Sequence, residues 1–410
     1  MEYGCIGEKL GHSFSKEIHN ILASYEYEPH EVARDELDSF MRERNFKAIN
    51  VTIPYKEAVI PYLDFIDESA SDIGAVNTIV NRDGKLYGYN TDFYGMRELA
   101  IRLGTDFKGK KVIILGTGGT SKTARAVAKS LGAGEVIRVS RRESAESITY
   151  EELYKNHTDA DIIINTTPVG MYPDIYSSPI TLDTFKRLSA AIDAVYNPLR
   201  SKFISDAMGM GAVAEGGLYM LVGQAVRASE IFIDTVYPAD TTKKIFDLLE
   251  SKKENIVLVG MPASGKSTVG KIIAERLNRP FIDIDELIEA DSDMKISDIF
   301  ESFGEGKFRE LETSVIKRAA SSSGAVIATG GGAILRGENI SALKQNGKIF
   351  FIDRPLEALI PTDSRPLSRD RESIKARYEE RYEIYSAVCD TKITADCDAI
   401  NVAKKIMGEI

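Results

Sequence analysis

Several short stretches of this 410-residue chain combine residue types and spacings that could carry chemistry. Gly260-Met-Pro-Ala263-Ser264-Gly265-Lys266-Ser267 is a full match to G-x-x-x-x-G-K-[ST], with Thr268 following. Such a loop lets backbone N–H groups wrap phosphates, its lysine reaches the β/γ oxygens, and the Ser267 hydroxyl can ligate Mg²⁺. That grammar points to ATP and leaves the acceptor open. Phe281-Ile-Asp283-Ile-Asp285 follows. Read as one strand, it puts both aspartates on one side, one to serve the Mg²⁺ shell and one to take a proton from an alcohol. Asp285 reads also as the N-cap of a helix beginning at Glu286. Further on, Arg309 lies three residues before Glu312, which can orient its guanidinium. Gly330-Gly331-Gly332 ends an apolar strand and lets backbone approach a small ligand closely.

The first half offers different chemistry. Gly116-Thr-Gly118-Gly119-Thr120-Ser121 follows an apolar strand and opens a helix, as a dinucleotide loop must, although Ser121 stands where a third glycine is usual. After the next strand come Ser140-Arg141-Arg142, where an NAD enzyme would carry an acid; two arginines near the ribose favour a 2′-phosphate and so NADP(H). A solvated basic turn is the plainer reading of the same residues. Upstream, Lys56 and Asp92 each end an apolar stretch. Reduction of a ketone needs an acid for the developing alkoxide; Lys56 could supply the proton with Asp92 as its partner. Taken singly, Lys56 reads as a surface lysine and Asp92 as a helix cap.

Apolar strand-like runs alternate with helical patterns throughout, which predicts α/β architecture with mostly parallel sheets. Lys111–Gly116 and Glu135–Ser140 bracket one βαβ unit, 215–248 read as helical, and the charged run Glu250-Ser-Lys-Lys-Glu254 precedes a second strand at 255. The expected organisation is therefore a lobe of 1–93 plus 215–248, an inserted nucleotide-binding domain at 94–214, a linker at 249–254, and a P-loop domain at 255–410. Length alone suggests two or three domains. No apolar run approaches a membrane span, and the opening residues lack a signal-peptide profile, the first strand leaving no room for a leader. A net charge of −10 argues against a general nucleic-acid binder and requires local positive charge for any anionic substrate. Three cysteines without zinc spacing suit a reducing compartment, and four histidines show no metal-ligand spacing. A cytoplasmic enzyme acting on small molecules is expected.

Taken together, the second-half motifs (P-loop, D-x-D, G-E-x-x-F-R-x-x-E, G-G-G, R-P-L and R-x-x-x-Y) resemble shikimate kinase over 255–410. The resemblance implies that Asp285, Arg309, Gly331, Gly332 and Arg381 hold shikimate, with the two arginines on its carboxylate. It implies Asp285 as proton acceptor, Asp283 assisting Mg²⁺, and Arg365 on a lid that closes over the phosphates. The segment before that lid is compressed, and the arginine that relatives often place there against adenine has no clear match. In the first half, Gly11-His-Ser13-Phe-Ser15-x-x-x-His19-Asn20, N-V-T-I-P-Y-K, I-G-A-V-N-T, G-Y-N-T-D-x-x-G, N-T-T-P-V-G-M, D-A-V-Y-N-P-L and G-x-x-M-L-x-x-Q-A resemble shikimate dehydrogenase from residue 3 to about 235. That likeness implies Ser13 and Ser15 on the substrate carboxylate. It implies Thr52, Asn77, Asn90, Asp92 and Gln224 on ring hydroxyls, Tyr196 closing over the substrate, and Lys56 with Asp92 as catalytic pair. Thr166 in the 165–171 loop would run beside NADP, with Gly217 and Met220 near the nicotinamide. Lys16 replaces a proline common after S-x-S, and Arg200-Ser-Lys replaces the usual continuation after Leu199.

One half would make shikimate from 3-dehydroshikimate with NADPH, and the other would phosphorylate it with ATP and Mg²⁺. Two alternatives keep the folds. Quinate with NAD is disfavoured by Gln224, Thr52 and the two arginines. A metabolite sensor should have lost Lys56, Asp92, Lys266 and Asp285, all of which are present.

Overall fold

The computed structural model describes residues 1–10, 14–359 and 371–410. The chain divides into two compact units, Met1–Leu248 and Leu249–Ile410.

The first unit holds two sheets. One contains β1 Tyr3–Gly7, β2 Tyr27–Glu31, β3 Ala48–Val51, β4 Phe65–Ile66, β5 Thr78–Arg82 and β6 Lys85–Tyr89, in the order β2-β1-β3-β5-β6-β4. β1 is parallel to β2 and β3, whereas β5 runs antiparallel to β3 and β6. Its central strands β1, β3 and β5 bury apolar residues on both faces. Ile6, Ile49, Val51, Ile79 and Leu86 fill one core, and Cys5, Tyr27, Ala48 and Val80 pack with Ala228 and Phe232 of the helix Leu218–Ile233 on the other.

The second sheet contains β7 Lys111–Leu115, β8 Glu135–Ser140, β9 Ile148–Thr149, β10 Ile162–Asn165, β11 Ala190–Asp193 and β12 Val213–Glu215. Every pairing in it is parallel, in the order β12-β11-β10-β7-β8-β9. Strand sequences such as Lys-Val-Ile-Ile-Leu and Ile-Ile-Ile-Asn are buried on both faces, as a parallel sheet covered by helices on both sides requires. The strand order reverses between β7 and β10, and this doubly wound, Rossmann-like topology opens a crevice at their carboxyl ends.

The second unit is one parallel sheet of β13 Asn255–Val259, β14 Phe281–Asp283, β15 Val326–Ala328, β16 Gly347–Asp353 and β17 Thr391–Thr394, in the order β14-β15-β13-β16-β17. β13, buried at all five positions, sits in the middle and delivers the P-loop at its end.

Three expectations are corrected. The segment 249–254 expected as a linker is helical as far as Lys253: it completes the helix Thr241–Lys253, in which Leu249 is fully buried. The charged side chains around it belong to an amphipathic surface, which composition alone reads as a break. The expected cuts at 93/94 and 214/215 fall inside the helix Thr91–Arg102 and inside β12. The strand expected to run through Asp285 stops at Asp283. The Asp283 carboxylate accepts from the backbone N–H groups of Asp285 and Glu286, at 3.0 and 3.5 Å, so the helix Ile284–Ser292 starts at once. Asp283, not Asp285, is the cap, and Asp285 lies in the first helical turn.

Candidate active sites

Within the first unit, a cavity of about 350 Å³ is lined by Ser15, Thr52, Lys56, Asn77, Asp92, Thr120, Tyr196, Gly217, Met220 and Gln224. Lys56 arrives on the turn after β3, and Asp92 is the second residue of the helix Thr91–Arg102. Their side chains meet with Nζ 2.5 Å from Oδ2, both largely out of solvent. Asn90 caps that helix by accepting from the Phe93 N–H, and its amide donates to the Ala75 carbonyl at 2.9 Å. Both polar ends of Asn90 are thus used inside the protein, and it is 1% exposed. Asn90, expected to meet substrate, is not part of the cavity lining and fixes the helix that presents Asp92. Asn77 accepts from the Thr91 N–H at 2.7 Å and still reaches the cavity.

Cys5, Lys9, Leu10, Tyr27, Asn50, Val51, Ala194 and Leu221 complete the lining, and none of them was foreseen. Asn50, the first residue of the N-V-T-I-P-Y-K stretch, accepts from the Tyr27 hydroxyl and donates to Thr78 Oγ1. A polar residue in an otherwise apolar strand was the available signal.

The dinucleotide loop adjoins this cavity. Gly119 lies so that a Cβ there would be 3.8 Å from Lys56 Cδ, and Thr120 is part of the wall. Gly116 has φ 109° and abuts Thr166, whose Oγ1 would lie 2.8 Å from any Cβ. The ends of β7 and β10 therefore meet at the topological switch point. Thr166 Oγ1 donates to the Leu115 carbonyl, and Ser121 Oγ to the Gly116 carbonyl at 2.7 Å, which explains a serine in place of the third glycine. A Cβ on Gly118 would meet nothing within 4 Å, so backbone there is open to a pyrophosphate. Ser140 ends β8, its hydroxyl bonded to the Arg142 carbonyl, and Arg141 and Arg142 are exposed. These groups fit an NADP(H).

Behind the cavity, Asp193 accepts from Ser201 Oγ, the Val195 N–H and Asn165 Nδ2 at 2.5, 2.9 and 2.9 Å, while burial pushes its carboxyl up to about 7. It anchors the turn that carries Tyr196, whose ring stands edge-on to Phe14 at 5.3 Å and whose phenol burial also pushes upward. Ser13 lies outside the described residues.

In the second unit a cavity of about 530 Å³ is lined by Ala263, Gly265, Lys266, Ser267, Thr268, Asp283, Asp285, Arg309, Gly331, Gly332 and Arg381. Lys266 Nζ donates to the carbonyls of Gly260 and Met261, both at 2.9 Å. Gly260 and Ser264 shape the loop from behind the wall, Ser264 being 2% exposed. Ser267 Oγ donates to Asp283 Oδ2 at 2.6 Å. A hydroxyl beside a carboxylate, both hard oxygen donors, fits Mg²⁺ next to the phosphates of ATP. Asp285 faces Gly330, at whose Cβ position its Oδ1 would be 2.9 Å away.

The helix Ile296–Ala320 is interrupted at Gly304 (φ 76°, ψ 174°) and then presents Arg309. Its guanidinium is held by Glu312 at 2.7 Å and Glu305 at 3.0 Å. A Cβ at position 332 would overlap that guanidinium, so a side chain there would have to displace Arg309 from its place. Arg381 donates to the Gly331 carbonyl at 3.1 Å, and the Tyr385 hydroxyl lies 2.5 Å from the same oxygen and 3.0 Å from that of Gly260. Tyr385, fully buried, thus ties the P-loop to the glycine run, and burial raises its phenol. The lining also includes Arg377, and Arg354 Nη1 stands 3.6 Å from the Cβ position of Gly265; neither was singled out from sequence. Arg365 lies outside the described residues.

Among the described residues, no helix is long and apolar enough to cross a membrane. The family model described as "Shikimate dehydrogenase substrate binding domain" matches residues 5–79, and that described as "Shikimate kinase" matches residues 262–410. The chain is 37% identical over 267 residues to a shikimate dehydrogenase (NADP(+)) of Clostridium beijerinckii, covering 61% of this chain and 98% of that protein. Among solved structures, it is similar to shikimate dehydrogenase 1 of Peptoclostridium difficile, with 38% identity, a TM-score of 0.56, and coverage of 61% of this chain and 98% of that one. It is similar also to a chorismate mutase/shikimate 5-dehydrogenase fusion protein of Clostridium acetobutylicum, at 34% identity and a TM-score of 0.57, covering 61% and 97%. A third is shikimate 5-dehydrogenase of Thermus thermophilus in complex with NADP(H) and shikimate, at 26% identity and a TM-score of 0.55, covering 60% and 99%. The chain belongs to the shikimate dehydrogenase family, and it carries a shikimate kinase domain joined behind that enzyme.

Proposed function

We propose that this chain catalyses two reactions of aromatic biosynthesis: reduction of 3-dehydroshikimate to shikimate with NADPH, and phosphorylation of shikimate to shikimate 3-phosphate with ATP and Mg²⁺. One observation carries the reading. A lysine–carboxylate pair beside a dinucleotide loop, and a P-loop facing a carboxylate and paired arginines, occur in domains whose families share one metabolite.

In the first site the cofactor, when bound, supplies the hydride. Lys56 then gives its proton to the oxygen of the reduced carbonyl, and Asp92 holds the ammonium in place. Ser13 and Ser15 take the carboxylate; Thr52, Asn77 and Gln224 take ring hydroxyls; Tyr196 covers the substrate. In the second site ATP with Mg²⁺, when bound, supplies the phosphoryl group. Asp285 accepts the proton of the attacking hydroxyl, and Lys266 and Arg365 offset the charge developing during transfer. Arg309 and Arg381 grip the carboxylate while the Gly331 and Gly332 backbone closes on the ring. The protein works in the cytoplasm on small molecules, with no nucleic-acid or membrane partner, which suits its net charge of −10.

A single cuvette tests this. Purified protein, 3-dehydroshikimate and NADPH should lose nicotinamide absorbance, and MgATP added next should yield ADP and shikimate 3-phosphate. Absorbance loss without ADP would leave a dehydrogenase joined to an inactive kinase domain, and silence at both stages would refute the reading.

A further inference from the structure

The kinase cavity contains one cation that its motifs leave unexplained. Arg377 stands one helical turn before Arg381 on the helix Arg371–Val388, so both project from one face. Both line the cavity together with Arg309. The two arginines assigned to the substrate carboxylate are already answered by protein acids. Arg309 lies between Glu305 and Glu312 at 3.0 and 2.7 Å, and Arg381 lies 3.4 Å from Glu380. Each of these two guanidiniums is thus already paired with protein carboxylate, and an anionic substrate entering between them would gain less from their charge than from an unpaired cation.

Arg377 changes that balance. Its Nη1 is shielded from solvent and has no hydrogen-bond partner among the described residues. A buried donor of this kind is destabilising unless something supplies an acceptor. Burial first, then the like charges of Arg381 and Arg309, hold its pKa below the usual guanidinium value, while Glu380 and Glu305 act the other way. Those neighbours set it at the arginine end of the cavity. We infer that Arg377 is a third guanidinium for the substrate's carboxylate and makes the kinase site demand an anionic acceptor. The inference rests on the second unit acting as a shikimate kinase.

The test is steady-state kinetics on the full chain carrying Arg377→Met or Arg377→Lys, with dehydrogenase activity and a melting curve as controls for folding. A lost charge-assisted contact to the carboxylate should raise KM for shikimate about tenfold or more in Arg377→Met, with kcat nearly unchanged. KM for ATP should not move, and Arg377→Lys, which keeps the charge, should recover part of the loss. The methyl ester of shikimate, lacking the anion, should be used equally by both proteins. An unchanged KM for shikimate, an equal loss on the ester, or a rise in KM for ATP alone would overturn the inference; the last would assign Arg377 to nucleotide phosphate. Failure of the unaltered protein to phosphorylate shikimate would instead remove the functional reading and this inference with it.

Discussion

Lys56 and Asp92 lie 36 positions apart and meet at 2.5 Å, whereas Lys266 is bonded within its own loop. Each lysine belongs to a different unit, so single substitutions should separate the reactions. Lys56→Met is expected to lower the reductase kcat by about 10²–10⁴ and leave phosphorylation intact. Lys266→Met should remove phosphoryl transfer, by roughly 10²-fold or more, and leave NADPH oxidation intact. Assaying both activities in both variants checks this, and joint loss from either change would show that the sites are not independent. A second residue governs acid stability. His19 is fully buried, stacks on Tyr27 at 4.0 Å, and has Nδ1 2.6 Å from the Tyr25 hydroxyl. Burial lowers its pKa from 6.5 to about 3. The unfolded chain therefore binds one proton more between those values, and stability present above about pH 6.5 is lost as the pH falls. At pH 5 the loss is about 2 kcal/mol. Melting curves from pH 7 to 5 should fall more gently for His19→Gln than for the unaltered protein; parallel curves would rule out His19 as the source.

Among the elements, the helices Thr91–Arg102 and Leu218–Ile233 decide the geometry of the first site. One carries Asp92, the other Met220 and Gln224, and all three reach the cavity. They approach closely at Gly95, where a Cβ would overlap the Met220 carbonyl oxygen and lie 2.8 Å from the Gln224 nitrogen. Both obstacles are backbone, so neither can rotate away. Gly95→Ala should cost about 1–3 kcal/mol through overpacking and displace Gln224 from the cavity. Its reductase KM should rise while the kinase is unaffected, and a variant with ordinary reductase kinetics would refute this view of the helix pair. The same scale explains why Asp285 is misread as strand: Asp283 captures the next two N–H groups and turns the chain into a helix.

At the scale of the molecule, two units each carry their own buried apolar clusters, the first on both of its sheets and the second around Val257, Val259, Ile327 and Phe351. Thermal unfolding should resolve two transitions. NADPH at about 100 times its Kd should raise one of them by roughly 5–10 °C, and ADP with Mg²⁺ should raise the other. Calorimetry with each nucleotide in turn checks this; a single transition shifted by both would mean that the units unfold as one.

Chemistry that depends on neighbours in the chain was readable from the residues alone. The P-loop, the dinucleotide loop and the apolar parallel strands are local patterns, because phosphate binding by backbone and burial on both faces each demand a short, strict run. The lysine–aspartate partnership was likewise anticipated, since each residue lies within a motif. Packing determined the rest. Asn90 sits in the same motif as Asp92, yet a carbonyl of Ala75 and the N–H of Phe93 claim its side chain. Tyr385 became a tie between two loops, and Arg377 a cation whose Nη1 has no hydrogen-bond partner among the described residues, only once the helix Arg371–Val388 lay against β16 and the glycine run. A side chain's role follows from which polar groups remain unpaired after folding, and distant segments settle that.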